Sequence, residues 1–169
     1  MRAERGMIEH ASEQEGGWLW ASVGLAGLGV LVSGYLSVKR FTGGSLACSR
    51  WAQCDVVNNS LYAKIYGVPV AFLGLAGYLL LVGLALGALE SGGPVRRRLV
   101  ALGFLFSLGG VAFSAYLTYI ELYVIEAVCS WCVASAVIIS LLAVVGGINL
   151  RRTSPGSAKR SATPTAVRS

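Results

Sequence analysis

Residues 65–89 read IYGVPVAFLGLAGYLLLVGLALGAL, 25 positions without a single Asp, Glu, Lys, Arg or His. A helix needs about 20 apolar residues to cross a hydrocarbon core of about 30 Å, so this run is long enough to span a bilayer. Three further runs share the property: Gly16–Val38, Leu99–Ile120 and Ala127–Leu150. The alternative is a large soluble bundle, whose buried helices are usually shorter and carry a polar face. None of the four runs shows such a face clearly, and 55% apolar with 13% charged residues departs from ordinary soluble composition. The predicted fold is an all-α membrane protein, a four-transmembrane-helix bundle with spans at about 16–38, 65–89, 99–120 and 127–150.

The net charge of +6 would suit a nucleic-acid binder, but its placement argues for topology. Four spans put both termini on one side. That side receives Arg2, Arg5, Arg96, Arg97, Arg98, Arg151, Arg152, Lys159, Arg160 and Arg168, whereas the other receives only Lys39, Arg40, Arg50 and Lys64. Ten against four is a positive-inside pattern, which predicts cytoplasmic termini in a plasma membrane. Lys39 and Arg40 flank the first span on the outer side and run against the trend without reversing it. Residues 1–15 carry four glutamates and do not resemble a cleaved signal peptide. They are expected to form a cytoplasmic N-terminal segment, and 151–169 a disordered basic tail, around a catalytic domain at 16–150.

Lys39 to Lys64 is the long connection. After the turn-forming Thr42-Gly43-Gly44-Ser45 it carries Cys48 and Cys54. Asp55 is a plausible N-cap, and Val57, Leu61 and Ile65 follow at helical spacing, predicting a short amphipathic surface helix. Glu90–Arg98 and Glu121–Glu126 are tight connections, the latter making the third and fourth spans antiparallel neighbours. Glycines recur through the spans, and close helix packing explains them better than a cavity wall does. Trp18, Trp20, Tyr35 and Tyr119 sit near span ends, as interfacial aromatics do.

The chain has four cysteines. The predicted topology puts all of them on the extracytoplasmic side, where disulfides form and persist. Cys129-Ser130-Trp131-Cys132 is a C-x-x-C, whose ends share one face of a helix. At a helix N-terminus the first thiol is activated by the backbone dipole. At about 1.5 Å of rise per residue, Cys132 lies roughly 4–5 Å deeper than Cys129. A shallow and a deep thiol suit a relay from an aqueous donor to a membrane-dissolved acceptor. Two structural disulfides in a scaffold, or a Cys₄ metal site, are the other readings. The spacing of Cys48 and Cys54 is loose for a zinc knuckle, and the lone His10 falls on the cytoplasmic side, so no metal is expected.

Cys48-x₅-Cys54-Asp55-x₄-Ser60-x-Tyr62-Ala63-x₃-Gly67-Val68-Pro69-Val70, followed by the C-x-x-C opening the last span, resembles the vitamin K epoxide reductase family. The likeness is to its bacterial branch, and extends over about residues 16–150. It implies a four-helix bundle around a quinone, with Cys48 and Cys54 as a shuttle pair. Cys54 and Cys129 would form a transient disulfide, and Cys132 would react with the quinone, of menaquinone or ubiquinone type. Ser60 matches a serine that the family places near the site. The asparagine and tyrosine with which animal enzymes hold the quinone fall roughly at Val70 and Ala136, so ordinary quinone reduction is expected rather than epoxide reduction. The tail is too short for the thioredoxin-like domain fused to some relatives, which implies a separate DsbA-like partner. The quinone-coupled oxidases of the DsbB type share the chemistry but place their C-x-x-C before the looser pair.

The topology is testable in intact cells. After reduction, a membrane-impermeant thiol reagent should label Cys48 and Cys54 from outside. A cysteine placed in the Arg96–Arg98 turn should stay protected; the reverse pattern would invert the assignment.

Overall fold

The computed structural model describes residues 2–48, 52–65 and 67–153, with side chains described from residue 16 onward. Four long helices carry the fold: α1 (Arg2–Thr42), α3 (Val70–Glu90), α4 (Gly93–Ile120) and α5 (Ser130–Arg152). All four contain segments long and apolar enough to cross a membrane, Gly16–Thr42, Val70–Glu90, Gly93–Ile125 and Ser130–Arg152. Helix α1 packs against α3 and α5, and α4 closes the ring against the same two. The protein is therefore an all-α membrane bundle.

The surface says which solvent the bundle is built for. Leu79, Leu80, Leu86, Leu108, Val137 and Val144 are all exposed on the outside of the bundle. In water such continuous apolar surface would drive aggregation; in hydrocarbon it costs nothing. The interior is instead held by small and polar groups. Ser33, Ser37 and Ser107 are buried, each hydroxyl donating to the carbonyl four residues back at 2.7–2.8 Å. Near the far end, Asn149 Nδ2 on α5 donates to Ser22 Oγ on α1 at 3.3 Å.

The glycines divide between two uses. Gly29 lies against the ring of Tyr78 on α3, Gly110 against Ile139, and Gly147 against Phe104 at 3.3 Å from a would-be Cβ. Gly74, Gly77, Gly109 and Gly110 line a cavity between the helices. Gly24 and Gly27 face open space. Packing thus explains some of these positions, the cavity wall explains others, and Gly110 serves both.

Several boundaries differ from those expected. Helix α1 extends beyond Gly16–Val38 in both directions. The segment Glu121–Ile125 is not a loop: α4 runs on as a π-helical turn that ends where Glu126 adopts a left-handed backbone, φ 55°. The loop helix is α2 (Cys54–Asn59), capped by Gln53 rather than Asp55. It stops at Asn59, a 3₁₀ turn Leu61–Ala63 follows, and Lys64–Ile65 pairs antiparallel with Val68–Pro69 (β1 and β2). Leu61 is 91% exposed, so the expected apolar stripe Val57–Leu61–Ile65 does not form; only Cys54 and Val57 on α2 are buried. Pro69, beginning α3, makes extension of the strand pair impossible and needs no helical donor there. Of the basic residues counted for topology, Arg50, Lys159, Arg160 and Arg168 lie outside the described residues, as does the tail beyond Thr153.

The helix contacts predict an asymmetric response to added bulk. Gly29→Val drives a side chain into Tyr78 and should lower detergent thermal stability by about 1–3 kcal/mol, the usual cost of overpacking. Gly27→Val meets nothing and should leave the melting temperature unchanged. Equal effects would contradict the packing described.

Candidate active site

The four cysteines lie in one buried cluster at the end of the bundle where α1 finishes and α5 begins. Cys54 and Cys129, each 1% exposed, share it with Leu36, Leu46, Val57 and Ala127, while Cys48 and Cys132 pack against it. Cys48 and Cys54 are joined by a disulfide, with Cα atoms 6.3 Å apart. Cys129 and Cys132 are free thiols.

Local sequence explains the convergence. The N–H of Gln53, immediately before Cys54, donates to the carbonyl of Val128, immediately before Cys129, at 3.0 Å. This one backbone bond brings the loop pair to the start of α5. On the other side of the disulfide, Trp131 Nε1 donates to the Ala47 carbonyl at 2.8 Å. The Ala47 N–H donates to the Tyr35 hydroxyl at 3.2 Å, and the Tyr35 and Trp131 rings lie 4.9 Å apart. Asp55, not a helix cap, accepts from the Leu46 N–H at 2.9 Å and so ties the two ends of the cysteine loop together. Arg40 donates to the carbonyl of Asn58 at 2.9 Å and to the Asn59 side chain, a cation at the C-terminal end of α2. Tyr35 and Arg40, expected to be interfacial residues, instead hold the loop down.

Cys129 is the N-terminal flanking residue of α5. Its thiol is held below the ordinary cysteine value, first because the Cys132 thiol hydrogen-bonds to it, with the N–H groups of Cys132 and Trp131 adding to the effect; burial and the Glu121 charge act in the opposite direction. A thiol so placed is more readily the nucleophile and leaving group of disulfide exchange.

The two thiols of the C-x-x-C face different surroundings. Cys132 lines a cavity of about 630 Å³ between the long helices, covered by α2 at one end and open to the outer surface beside Leu102, Leu105 and Phe106; Cys48, Cys54 and Cys129 do not line it. Its walls are mostly apolar, Leu36, Leu81, Phe106, Phe113 and Ile139 among them, which suits a lipid-soluble ring compound of moderate size. Ser60 reaches the wall as well, although its hydroxyl is committed to the Val57 carbonyl at 2.8 Å. Val70 lines the cavity; Ala136 is not among its lining residues.

The model of the vitamin K epoxide reductase family matches residues 20–146. The chain belongs to that family. Vitamin K epoxide reductases are membrane oxidoreductases that act on disulfides with quinones and generally work with thioredoxin-like partners. The matched stretch contains both cysteine pairs and all four spans except their outermost turns.

Two polar features of the site escaped sequence reasoning. Tyr78 on α3 bonds through its hydroxyl to Ser135 on α5, one turn beyond the C-x-x-C, at 2.9 Å. Glu121, read as a loop residue, is 4% exposed, and its Oε2 accepts the Cys129 N–H at 3.2 Å. An acidic residue directly closing an uncharged run, eight positions before Cys129, was the available signal. Among the described residues no group of three or more His, Cys, Asp and Glu is arranged to hold a metal ion.

Trp131→Phe would keep ring packing but remove the bond to Ala47, worth about 1 kcal/mol. Amide exchange across residues 46–48, followed by mass spectrometry, should accelerate about fivefold. Unchanged exchange would mean that Trp131 does not hold the Cys48 segment.

Proposed function

We propose that the chain is a thiol oxidase of the plasma membrane that reoxidises an extracytoplasmic DsbA-like protein and reduces a membrane quinone, so supporting disulfide formation. Both termini are cytoplasmic and the cysteine end of the bundle faces outward, a reading that rests on the distribution of Lys and Arg. Residues 16–150 form the catalytic domain.

The reaction runs by successive thiol–disulfide exchange. A partner thiolate attacks the Cys48–Cys54 disulfide, and the partner's second thiolate resolves the mixed disulfide, leaving the loop pair reduced and the partner oxidised. Cys54 then attacks Cys129 of an oxidised C-x-x-C, forming Cys54–Cys129 and releasing Cys132. Cys48 displaces Cys129 from Cys54, restoring the loop disulfide and leaving two thiols at the C-x-x-C. These give two electrons and two protons to the quinone, yielding hydroquinone and the Cys129–Cys132 disulfide. A loop disulfide beside a free Cys129 and Cys132 is the arrangement just before quinone reduction.

One observation carries this reading: Cys132 borders the apolar cavity while Cys129 is buried beside Cys54 and away from that cavity. The division of labour agrees with the depth ordering inferred from helix rise. Ser60 serves as a neighbour of the quinone site. Its hydroxyl closes α2 and thereby shapes the roof over Cys132.

Without Cys132, Cys129 has no partner in its own pair and can form a disulfide only by attacking Cys54 of the loop pair, which frees Cys48. Cys132→Ser should accumulate a Cys54–Cys129 disulfide with Cys48 free to alkylate, seen by non-reducing peptide mapping. Cys129→Ser should build up no Cys54–Cys132 link. Finding Cys54 joined to Cys132 would place the quinone at Cys129 and overturn the assignment.

A further inference from the structure

Reduction of a quinone by a dithiol moves two protons as well as two electrons, and the cavity is poor in groups able to carry a proton. Glu121 is a carboxylate among its lining residues. It sits in the π-helical turn that carries α4 past Ile120, and the wider turn directs it inward between α4 and the start of α5. Its carboxylate accepts the Cys129 N–H at 3.2 Å, and it lines the same cavity as Cys132. No cation figures among these interactions. A buried carboxylate serving only to orient Cys129 would have no need to border the cavity that Cys132 also borders.

We infer that Glu121 is the proton carrier between the C-x-x-C thiols and the quinone, acting from the cavity wall it shares with Cys132. The inference rests on Cys132 being the quinone-facing thiol. The Cys132 S–H bond breaks and its proton joins Glu121, leaving a thiolate that gives its electron pair to the quinone. The Glu121 O–H bond breaks in turn, and one quinone oxygen gains the proton. Cys129 sulfur then attacks Cys132 sulfur, and the bond that Cys132 had formed to the quinone breaks with its electron pair staying on the departing ring. The Cys129 proton crosses by the same carboxylate to the second oxygen. Two S–H bonds are lost, one S–S and two O–H bonds are gained, and Glu121 ends as it began.

The test uses the full chain in lipid nanodiscs, pre-reduced with dithiothreitol, freed of excess reductant and mixed anaerobically with a short-chain ubiquinone in a stopped-flow instrument. Glu121→Gln keeps an acceptor for the Cys129 N–H but cannot carry a proton. Its single-turnover quinone reduction should fall about 100-fold or more, the range for loss of a general acid–base group. Glu121→Asp should recover most of the rate. In the Cys132→Ser background, Glu121→Gln should still accumulate Cys54–Cys129, because that exchange does not use the carboxylate. A Gln variant within threefold of wild type overturns the carrier role, as does one that also loses the trapped disulfide, which would make Glu121 structural. Failure of wild-type enzyme to reduce any quinone would refute the functional reading itself, and this inference with it.

Discussion

A single backbone hydrogen bond, from the Gln53 N–H to the Val128 carbonyl, joins two parts of the chain that lie far apart in sequence. One is a loop between α1 and α3, the other the entry to α5. Each donor or acceptor immediately precedes a cysteine, so the bond sets the register in which Cys54 approaches Cys129. Most of the nearby polar contacts reinforce it. Asp55 closes the cysteine loop on itself, Arg40 fixes the end of α2, and the Tyr35–Trp131 pair holds the Cys48 side. Disulfide exchange needs the attacking sulfur close to its target, and a loop docked in this way supplies that proximity before any partner arrives.

The bilayer imposes the second constraint. With hydrocarbon outside, the hydrophobic effect gives little drive for helices to associate, and packing falls to small residues and short internal hydrogen bonds. Gly29 against Tyr78 and Gly110 against Ile139 allow close approach. Elsewhere the bundle leaves an apolar space between its helices, with Cys132 on its wall. The same sequence preference for glycine thus serves both the tight contacts and the cavity. One thiol of the C-x-x-C is left to the loop and the other to whatever dissolves in the membrane interior.

Much of this was legible in the residues. Four uncharged runs of 22 or more residues specified four helices, because a chain that long without charge matches the thickness of a bilayer and little else. The C-x-x-C opening the last span specified a shallow and a deep thiol because helix rise is fixed. The loop was read less well. Val57, Leu61 and Ile65 have helical spacing, but α2 ends at Asn59, where Ser60 bonds back to the Val57 carbonyl and Arg40 from another helix holds Asn58 and Asn59. Asp55 looked like a cap and is a loop tie, accepting from the Leu46 N–H across the disulfide. Glu121 was hidden for a similar reason. An acid at the end of an apolar run reads as the start of a loop, whereas a π-helical turn rotates it inward.

The central claim is that electrons from protein thiols cross both cysteine pairs to a quinone. It is tested most directly by mixing purified enzyme anaerobically with a reduced thioredoxin-like protein and a quinone, then measuring hydroquinone formed and partner thiols lost in the same sample. The account predicts one hydroquinone for every two thiols oxidised, with both signals abolished when either pair is replaced by serine. Quinone reduction that persists without the Cys48/Cys54 pair under this protein donor, or thiol oxidation with no matching hydroquinone, would contradict it.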